Sequence, residues 1–153
     1  MDKTIVTALL VIAGVISAVF VFNAIYPATA QSADALTSME RRIDEQLKSQ
    51  VAIVHAAQSG SDAVIWVKNI GSLRVAAVEA CDLFFGPDGN FARIPYQTGA
   101  IHWSYVIENG ADWVPTATIQ ITIADYTFAA PGTRYFVKIV LPNGVSAEYF
   151  FSE

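Results

Sequence analysis

The sequence predicts an α+β fold: one long N-terminal hydrophobic α-helix, followed by an antiparallel Ig-like β-sandwich of about eight strands. Three observations predict it. An uncharged apolar run extends from Thr4 to Tyr26, a helical pattern continues to about Lys48, and short β-type runs separated by turn signals follow. A chain of 153 residues is long enough for one domain with a proper core.

The apolar run contains 23 residues without a charge and ends at Pro27. As an α-helix it is about 35 Å long, which is enough to cross a hydrocarbon layer of ~30 Å. A cleaved export signal is an alternative, because "ATA" at 28–30 resembles a cleavage site, although the apolar core is long and the basic region weak. A third interpretation is a helix surrounded by copies of itself, since it is apolar on every side. Its large apolar side chains include Ile5, Leu9, Ile12, Val15, Ile16, Val19, Phe20 and Phe22.

Small residues in the middle of this run predict close helix packing. Ala13 with Ser17 and Gly14 with Ala18 form pairs at the spacing that lets two helices approach each other. Pro27 is expected to kink the helix rather than end it, because a helical pattern continues beyond it. A single helix from Thr4 to Lys48 would be about 68 Å long.

The second half of the helix is amphipathic. Leu36, Met39, Ile43 and Leu47 follow one another at i, i+3, i+7 and i+11, so they form one apolar stripe. An amphipathic helix needs cover on one face only. We therefore expect these four side chains to pack against the sandwich.

The remainder of the chain is predicted to form β-strands. The candidate runs are residues 51–57, 62–71, 78–85, 91–96, 100–107, 117–124, 133–141 and 145–151. Asp88-Gly89 and Asn143-Gly144 predict two antiparallel hairpins, and the alternating isoleucines of "TIQITI" predict a strand with one buried face. The predicted boundary lies near Ser49, which gives a helical segment at 1–49 and an outer sandwich domain at 50–153.

Charge and composition exclude several functions. The net charge is −5 and the nine Lys and Arg are scattered, so the chain has no basic surface for nucleic acid. Only 15% of the residues are charged, which indicates a surface covered by neighbours and not a free monomer. No phosphate-binding loop, catalytic motif or metal-ligand spacing occurs, so we expect no enzyme activity, no cofactor and no small-molecule substrate.

Four single residues are assigned roles. Cys81, the only cysteine, cannot form an intramolecular disulfide and is expected to be a buried core thiol. His55 and His102 lie in separate strand runs and are expected to be structural. Trp113 lies in the loop-like "ENGADWVP" and is expected to be exposed or to contact another subunit.

This layout, together with "VIWVKNIGS" at 64–72, resembles the archaellins, the type IV pilin-like filament subunits of the archaeal swimming appendage. These proteins carry a strand that ends in a "VKN-G" type motif. The resemblance implies that the apolar side chains named above form a hydrophobic filament core, while the sandwiches form the outer shell. The sequence departs from the family in starting "MDKT" without a basic leader, and it lacks the early glutamate of type IV pilins near Ile5.

The resemblance therefore predicts a structural subunit of an extracellular archaellum-like filament for swimming motility. Many copies would assemble through the N-terminal helix, which would lie in the membrane before assembly, with the archaellum motor and assembly machinery as partners. The alternative is a membrane-anchored β-sandwich module, either of the archaellum stator or of a cell-surface adhesion pilin. Small relatives of the archaellins that are thought to serve as stator parts share the same layout.

Overall fold

The computed structural model describes residues 2–152, and these contain one α-helix and eight strands. The helix, α1, covers Asp2–Lys48 and continues through Pro27. The strands are β1 Val51–Ser59, β2 Asp62–Asn69, β3 Asp82–Pro87, β4 Ala92–Ile94, β5 His102–Glu108, β6 Thr118–Ala124, β7 Arg134–Val140 and β8 Ser146–Ser152. Each predicted run overlaps one strand. The predicted and observed bounds differ most for the third run, because Val78–Ala80 form a 3₁₀ turn before β3 begins.

The strands form two antiparallel four-stranded sheets, ordered β1-β2-β6-β5 and β4-β3-β7-β8. An immunoglobulin-type sandwich places its first, second, fifth and fourth strands in one sheet and its third, sixth and seventh in the other. The chain has this order, with β4 added beside β3. The predicted α+β fold with an Ig-like sandwich is therefore confirmed.

Both predicted hairpins are present. β3 pairs antiparallel with β4, and β7 pairs antiparallel with β8. Gly89 and Gly144 adopt φ values of +83° and +87°, which glycine reaches without a Cβ clash. The turn chemistry of the sequence therefore sets the register of these pairs.

The core lies between the two sheets. In β6 the side chains of Ile119, Ile121 and Ile123 are all fully buried, as the alternation of the sequence predicts. Tyr135, at the start of β7, is buried, and its hydroxyl accepts a hydrogen bond from the backbone N–H of Ala129. A tyrosine at this place is a hallmark of immunoglobulin-type sandwiches. The other large, fully buried side chains include Trp103, Phe85, Ile65, Leu83, Ile139, Val67 and Val137.

The expectation for Trp113 is wrong, because the structure buries this side chain almost completely. The backbone carbonyl of Trp113 accepts a hydrogen bond from Val75 N–H at 3.0 Å, which draws the loop back onto the sandwich. The indole Nε1–H donates to the Ala117 carbonyl at 3.1 Å, so the ring is buried with its polar group satisfied.

The chain divides into two compact units, Met1–Arg42 and Ile43–Glu153. The division lies several residues before the end of α1, since the last helical turn groups with the strands. The predicted boundary near Ser49 marks the end of the helix instead, as α1 ends at Lys48 and β1 begins at Val51.

Candidate functional site

The first half of α1 presents apolar side chains around its whole circumference. α1 is long and apolar enough to cross a membrane, and none of its described side chains is buried. The eight side chains assigned to a filament core are 50–72% exposed, namely Ile5, Leu9, Ile12, Val15, Ile16, Val19, Phe20 and Phe22. A surface of this kind requires lipid or protein around it. The assignment to a filament core stays a prediction.

Polar groups within this apolar surface are satisfied by the helix itself. Ser17 Oγ donates to the Ala13 carbonyl at 2.8 Å, and Thr7 Oγ1 donates to the Lys3 carbonyl at 2.8 Å. Hydroxyls that bond back one turn can enter an apolar environment at low cost. Among the small residues, Gly14 leaves open space where a Cβ would lie. Close packing of another helix at Ala13, Gly14, Ser17 and Ala18 stays a prediction.

Pro27 lies inside α1 and not at its end. Proline has no backbone N–H, so the carbonyl of Asn23 lacks its usual i+4 donor there. Shortly afterwards, Thr29 Oγ1 donates to the Tyr26 carbonyl at 2.9 Å and Ser32 Oγ to the Ala28 carbonyl at 2.8 Å. The predicted continuation of the helix past Pro27 is confirmed, and the predicted kink stays a prediction.

The apolar stripe on the second half of α1 is exposed. Leu36 and Met39 belong to the first unit, where each is exposed, and their packing stays a prediction. Ile43 and Leu47 belong to the second unit, and Leu47 is 71% exposed, so its own sandwich does not cover it. The polar neighbour Gln46 makes the contact instead, because its Nε2 donates to the Asn143 carbonyl at 2.9 Å.

The loop after β2 caps the C-terminus of α1. The last carbonyls of a helix have no donor within the helix. Here the Lys48 carbonyl accepts from Ser72 N–H at 2.8 Å and from Leu73 N–H at 3.3 Å. The carbonyl of Gln50, two residues further along the chain, accepts from Ile70 N–H and Gly71 N–H at 2.9 Å each. We call this set of four hydrogen bonds the helix clamp.

Asn69, the asparagine of the "VKN-G" motif, holds the clamping loop in place. Its side chain is fully buried. The amide Nδ2 donates to the Leu73 carbonyl at 2.8 Å and to the Trp113 carbonyl at 3.2 Å, while Oδ1 accepts from Gly71 N–H at 3.0 Å. One amide therefore fixes the loop that carries the helix clamp and ties it to the loop of Trp113.

Gly71 is required by close contact and not by backbone conformation. A Cβ at this position would collide with the Lys48 carbonyl oxygen, and it would lie 2.5 Å from the Gln50 nitrogen. Both are backbone atoms, which cannot turn away as a flexible side chain can. The glycine of the motif therefore allows the loop to reach the end of α1.

The outer face of the second sheet carries an aromatic strip that consists of Phe84, Phe91, Phe136 and Phe150. The ring centroids of Phe91 and Phe136 are 4.7 Å apart, and those of Phe136 and Phe150 are 5.0 Å apart. The Arg134 guanidinium lies 4.2 Å from the Phe150 ring centroid. Phe91 and Phe150 remain exposed, so this face offers apolar area to a partner.

The titratable residues singled out from the sequence, His55, His102 and Cys81, lie in different surroundings. No group of three His, Cys, Asp or Glu side chains could hold a metal ion within residues 2–152. His55 is exposed and stacks on Trp66, with ring centroids 5.5 Å apart, while His102 Nδ1 lies 3.2 Å from the Gly99 carbonyl oxygen. Cys81 is buried as expected, and burial, with smaller contributions from Asp82 and Glu79, raises the pKa of its thiol to about 12. Such a thiol is a poor nucleophile at neutral pH.

Sequence reasoning identified the "VKN-G" motif but missed what it does. The contacts of Lys48 and Gly71, and the bond from Asn69 to Trp113, join segments that are distant in sequence. The signal available in the sequence was an asparagine at the end of a strand with a glycine two residues after it.

Comparisons with known proteins bear on the fold. No protein-family model matches the chain. An uncharacterised protein of Archaeoglobus fulgidus is 27% identical over 160 residues, which cover 98% of both chains. The archaellum periplasmic stator protein FlaG from Sulfolobus acidocaldarius matches with a TM-score of 0.61 and 24% identity, over 67% of this chain and 99% of that one.

The archaellum periplasmic stator protein complex of FlaF and FlaG from Sulfolobus acidocaldarius matches with a TM-score of 0.60 and 24% identity, over 67% of this chain and 88% of that one. Both structures are of stator proteins and neither is of a filament subunit. At this level of identity the chain is similar to them in fold, and the share of this chain that is covered is close to the share taken up by the β-sandwich.

Proposed function

We propose that this chain is a membrane-anchored β-sandwich module of an archaellum stator, with no enzymatic activity of its own. α1 would hold the module in the cell membrane, and the sandwich would stand outside the cytoplasm and contact other parts of the motility machinery. The observation that carries the proposal is the combination of one all-round apolar helix with an Ig-like sandwich similar to that of FlaG.

The features of α1 support the membrane part of the proposal. The run from Thr4 to Tyr26 spans about 35 Å, slightly more than a hydrocarbon layer. At its end Phe22 and Tyr26 stack with ring centroids 5.5 Å apart, and tyrosine, whose ring carries a polar hydroxyl, favours the membrane interface. The charged residues of α1 between this run and the sandwich begin only at Asp34.

The stator alternative is better supported than the filament subunit. A filament subunit requires the same apolar helix, so α1 alone does not distinguish the two functions. The sandwich supports the stator, because it is similar in fold to two solved structures of archaellum stator proteins.

Fractionation of motile cells tests the proposal. Cells of the source organism that carry an epitope-tagged copy are sheared to release surface filaments, and filaments and membranes are probed separately for the tag. We expect the chain in the membrane fraction at a few copies per motor, with the sandwich digested by protease added to whole cells. Deletion of the chain is expected to abolish swimming.

Three outcomes would contradict the proposal. Recovery of most of the chain in sheared filaments would identify it as a filament subunit. A sandwich protected from protease in intact cells would place it on the cytoplasmic side. Normal swimming after deletion of this chain would contradict a role in motility.

A further inference from the structure

One edge of the sandwich is open along most of a strand. β5 is the last strand of the sheet β1-β2-β6-β5. Trp103 N–H donates to the Pro95 carbonyl and the Trp103 carbonyl accepts from Gln97 N–H, at 2.9 and 3.0 Å, so both groups point away from β6. In an antiparallel strand these directions alternate, so the amide and carbonyl groups of Tyr105 and Ile107 point the same way.

These backbone groups have no backbone partner within residues 2–152. The segment 95–97 covers the edge only at Trp103, and at the other end the strand stops before Asn109, which adopts a φ of +62°. The open edge therefore extends from Ser104 to Glu108. Unpaired strand edges of this kind are templates for pairing with another strand.

The residue at the centre of the open edge is apolar and exposed. Val106 is 64% exposed, more than any other large apolar side chain in the strands of residues 2–152. Its neighbours on the same face of the strand are Ser104 and Glu108, one on either side. The open edge thus has an apolar residue at its centre and a polar residue on either side of it on the same face.

We propose that β5 pairs antiparallel with β5 of a second copy of this chain, about a two-fold axis at Val106. Tyr105 of one copy would exchange both backbone hydrogen bonds with Ile107 of the other, which gives four bonds in total. Val106 would lie opposite Val106 of the second copy, and Ser104 opposite its Glu108. The two four-stranded sheets would then form one continuous sheet of eight strands.

A second copy of this chain is the partner proposed for the open edge, because the edge of β5 can pair with itself. The two-fold register buries both Val106 side chains against each other, and removing this apolar surface from water stabilises the contact. It also places the Ser104 hydroxyl beside the Glu108 carboxylate and keeps the two carboxylates apart, so no like charges oppose each other. A closed two-fold contact of one surface with itself is the commonest form of oligomer. The pairing does not depend on the stator assignment.

Cysteine cross-linking of the full chain in detergent micelles tests the pairing. Val106→Cys is placed at a non-hydrogen-bonded site, where opposing Cα atoms are about 4.5 Å apart and a disulfide can form. Val54→Cys is the matched control, since Val54 is 57% exposed on β1 of the same sheet. Cys81 is buried and does not compete. Under mild oxidation we expect Val106→Cys to form a homodimer at least tenfold faster than Val54→Cys.

A second pair of variants tests the register independently of contacts through α1. Ser104→Cys and Glu108→Cys are expected to cross-link rapidly when the two proteins are mixed and slowly when each is oxidised alone. Equal rates for Val106→Cys and Val54→Cys would overturn the proposal. So would cross-linking of Ser104→Cys with itself at the rate of the mixture. The proposed pairing would also be overturned if, in membranes of expressing cells, the Val106→Cys variant formed a disulfide with a different chain and formed no homodimer.

Discussion

At the scale of single residues, Asn69 and Gly71 act through contacts that only the folded chain provides. The sequence predicts a strand run at 62–71 that includes both residues. It could not indicate that the amide of Asn69 reaches the Trp113 carbonyl, or that Gly71 lies against the end of α1, because those partners are distant in sequence. The same reason explains Trp113, whose burial depends on Val75 and Ala117.

Replacement of Gly71 by alanine is expected to destabilise the sandwich by roughly 2–4 kcal/mol, because its Cβ would displace backbone atoms of Lys48 and Gln50. Chemical denaturation of the full chain in micelles, followed by tryptophan fluorescence, measures the change. Gly110→Ala is the control, since its Cβ meets only ordinary contacts with Asp112 and its φ is not positive. An equal loss of stability in both variants would contradict the role of Gly71.

The buried thiol of Cys81 predicts a pH dependence of stability. The pKa of Cys81 is raised from 9.0 to about 12 in the folded chain, so the thiol ionises more readily after unfolding. Its contribution is fully present below pH 9 and is lost as the pH rises from 9 towards 12. The free energy of unfolding should fall by roughly 1.4 kcal/mol for each pH unit in this range.

Cys81→Ala isolates this contribution from the titration of tyrosines and lysines. The variant has a lower stability at neutral pH, since it leaves a small cavity, but its stability should fall less steeply above pH 9. Urea denaturation of both proteins between pH 8 and 10.5 provides the comparison. Parallel curves for the two proteins would contradict the assignment.

At the scale of elements, the sequence predicted most of the fold. The alternation in β6, the two hairpins and the number of strands were all predicted correctly, since each depends on neighbours in sequence. The 3₁₀ turn at Val78–Ala80 was missed because its apolar residues fit a strand pattern equally well. The stripe at Ile43 and Leu47 was expected to be covered, but an apolar periodicity identifies a face and not what lies against it.

A charge in the middle of the apolar run tests the anchor. Val15→Arg lies at the centre of the run from Thr4 to Tyr26, where an arginine costs about 2.5–3.5 kcal/mol in membrane insertion. We expect a large fraction of this variant to leave the alkali-resistant membrane pellet. Ala30→Arg, beyond Pro27, is the matched control and should remain in the pellet. Full membrane retention of Val15→Arg would contradict an anchor at this position.

At the scale of the whole molecule, the layout of helix and sandwich was predictable, but its use was not. A helix that is apolar all round fits a membrane anchor and a filament core equally well, because both environments are apolar. The sequence resemblance favoured the filament, whereas two solved structures of stator proteins are similar to this chain in fold. The missing information is which surfaces meet which partners, and a single sequence contains no measure of that.

The helix clamp also has a mechanical consequence. Tension along α1 reaches β1 through the covalent chain, and it reaches the loop after β2 through the bonds at Lys48 and Gln50. These bonds must therefore break before the end of the helix can separate from the loop after β2. The buried Asn69 passes the load on to the loop of Trp113, and hence into the core. Force applied to the helix is therefore shared among three segments instead of being concentrated in one linker.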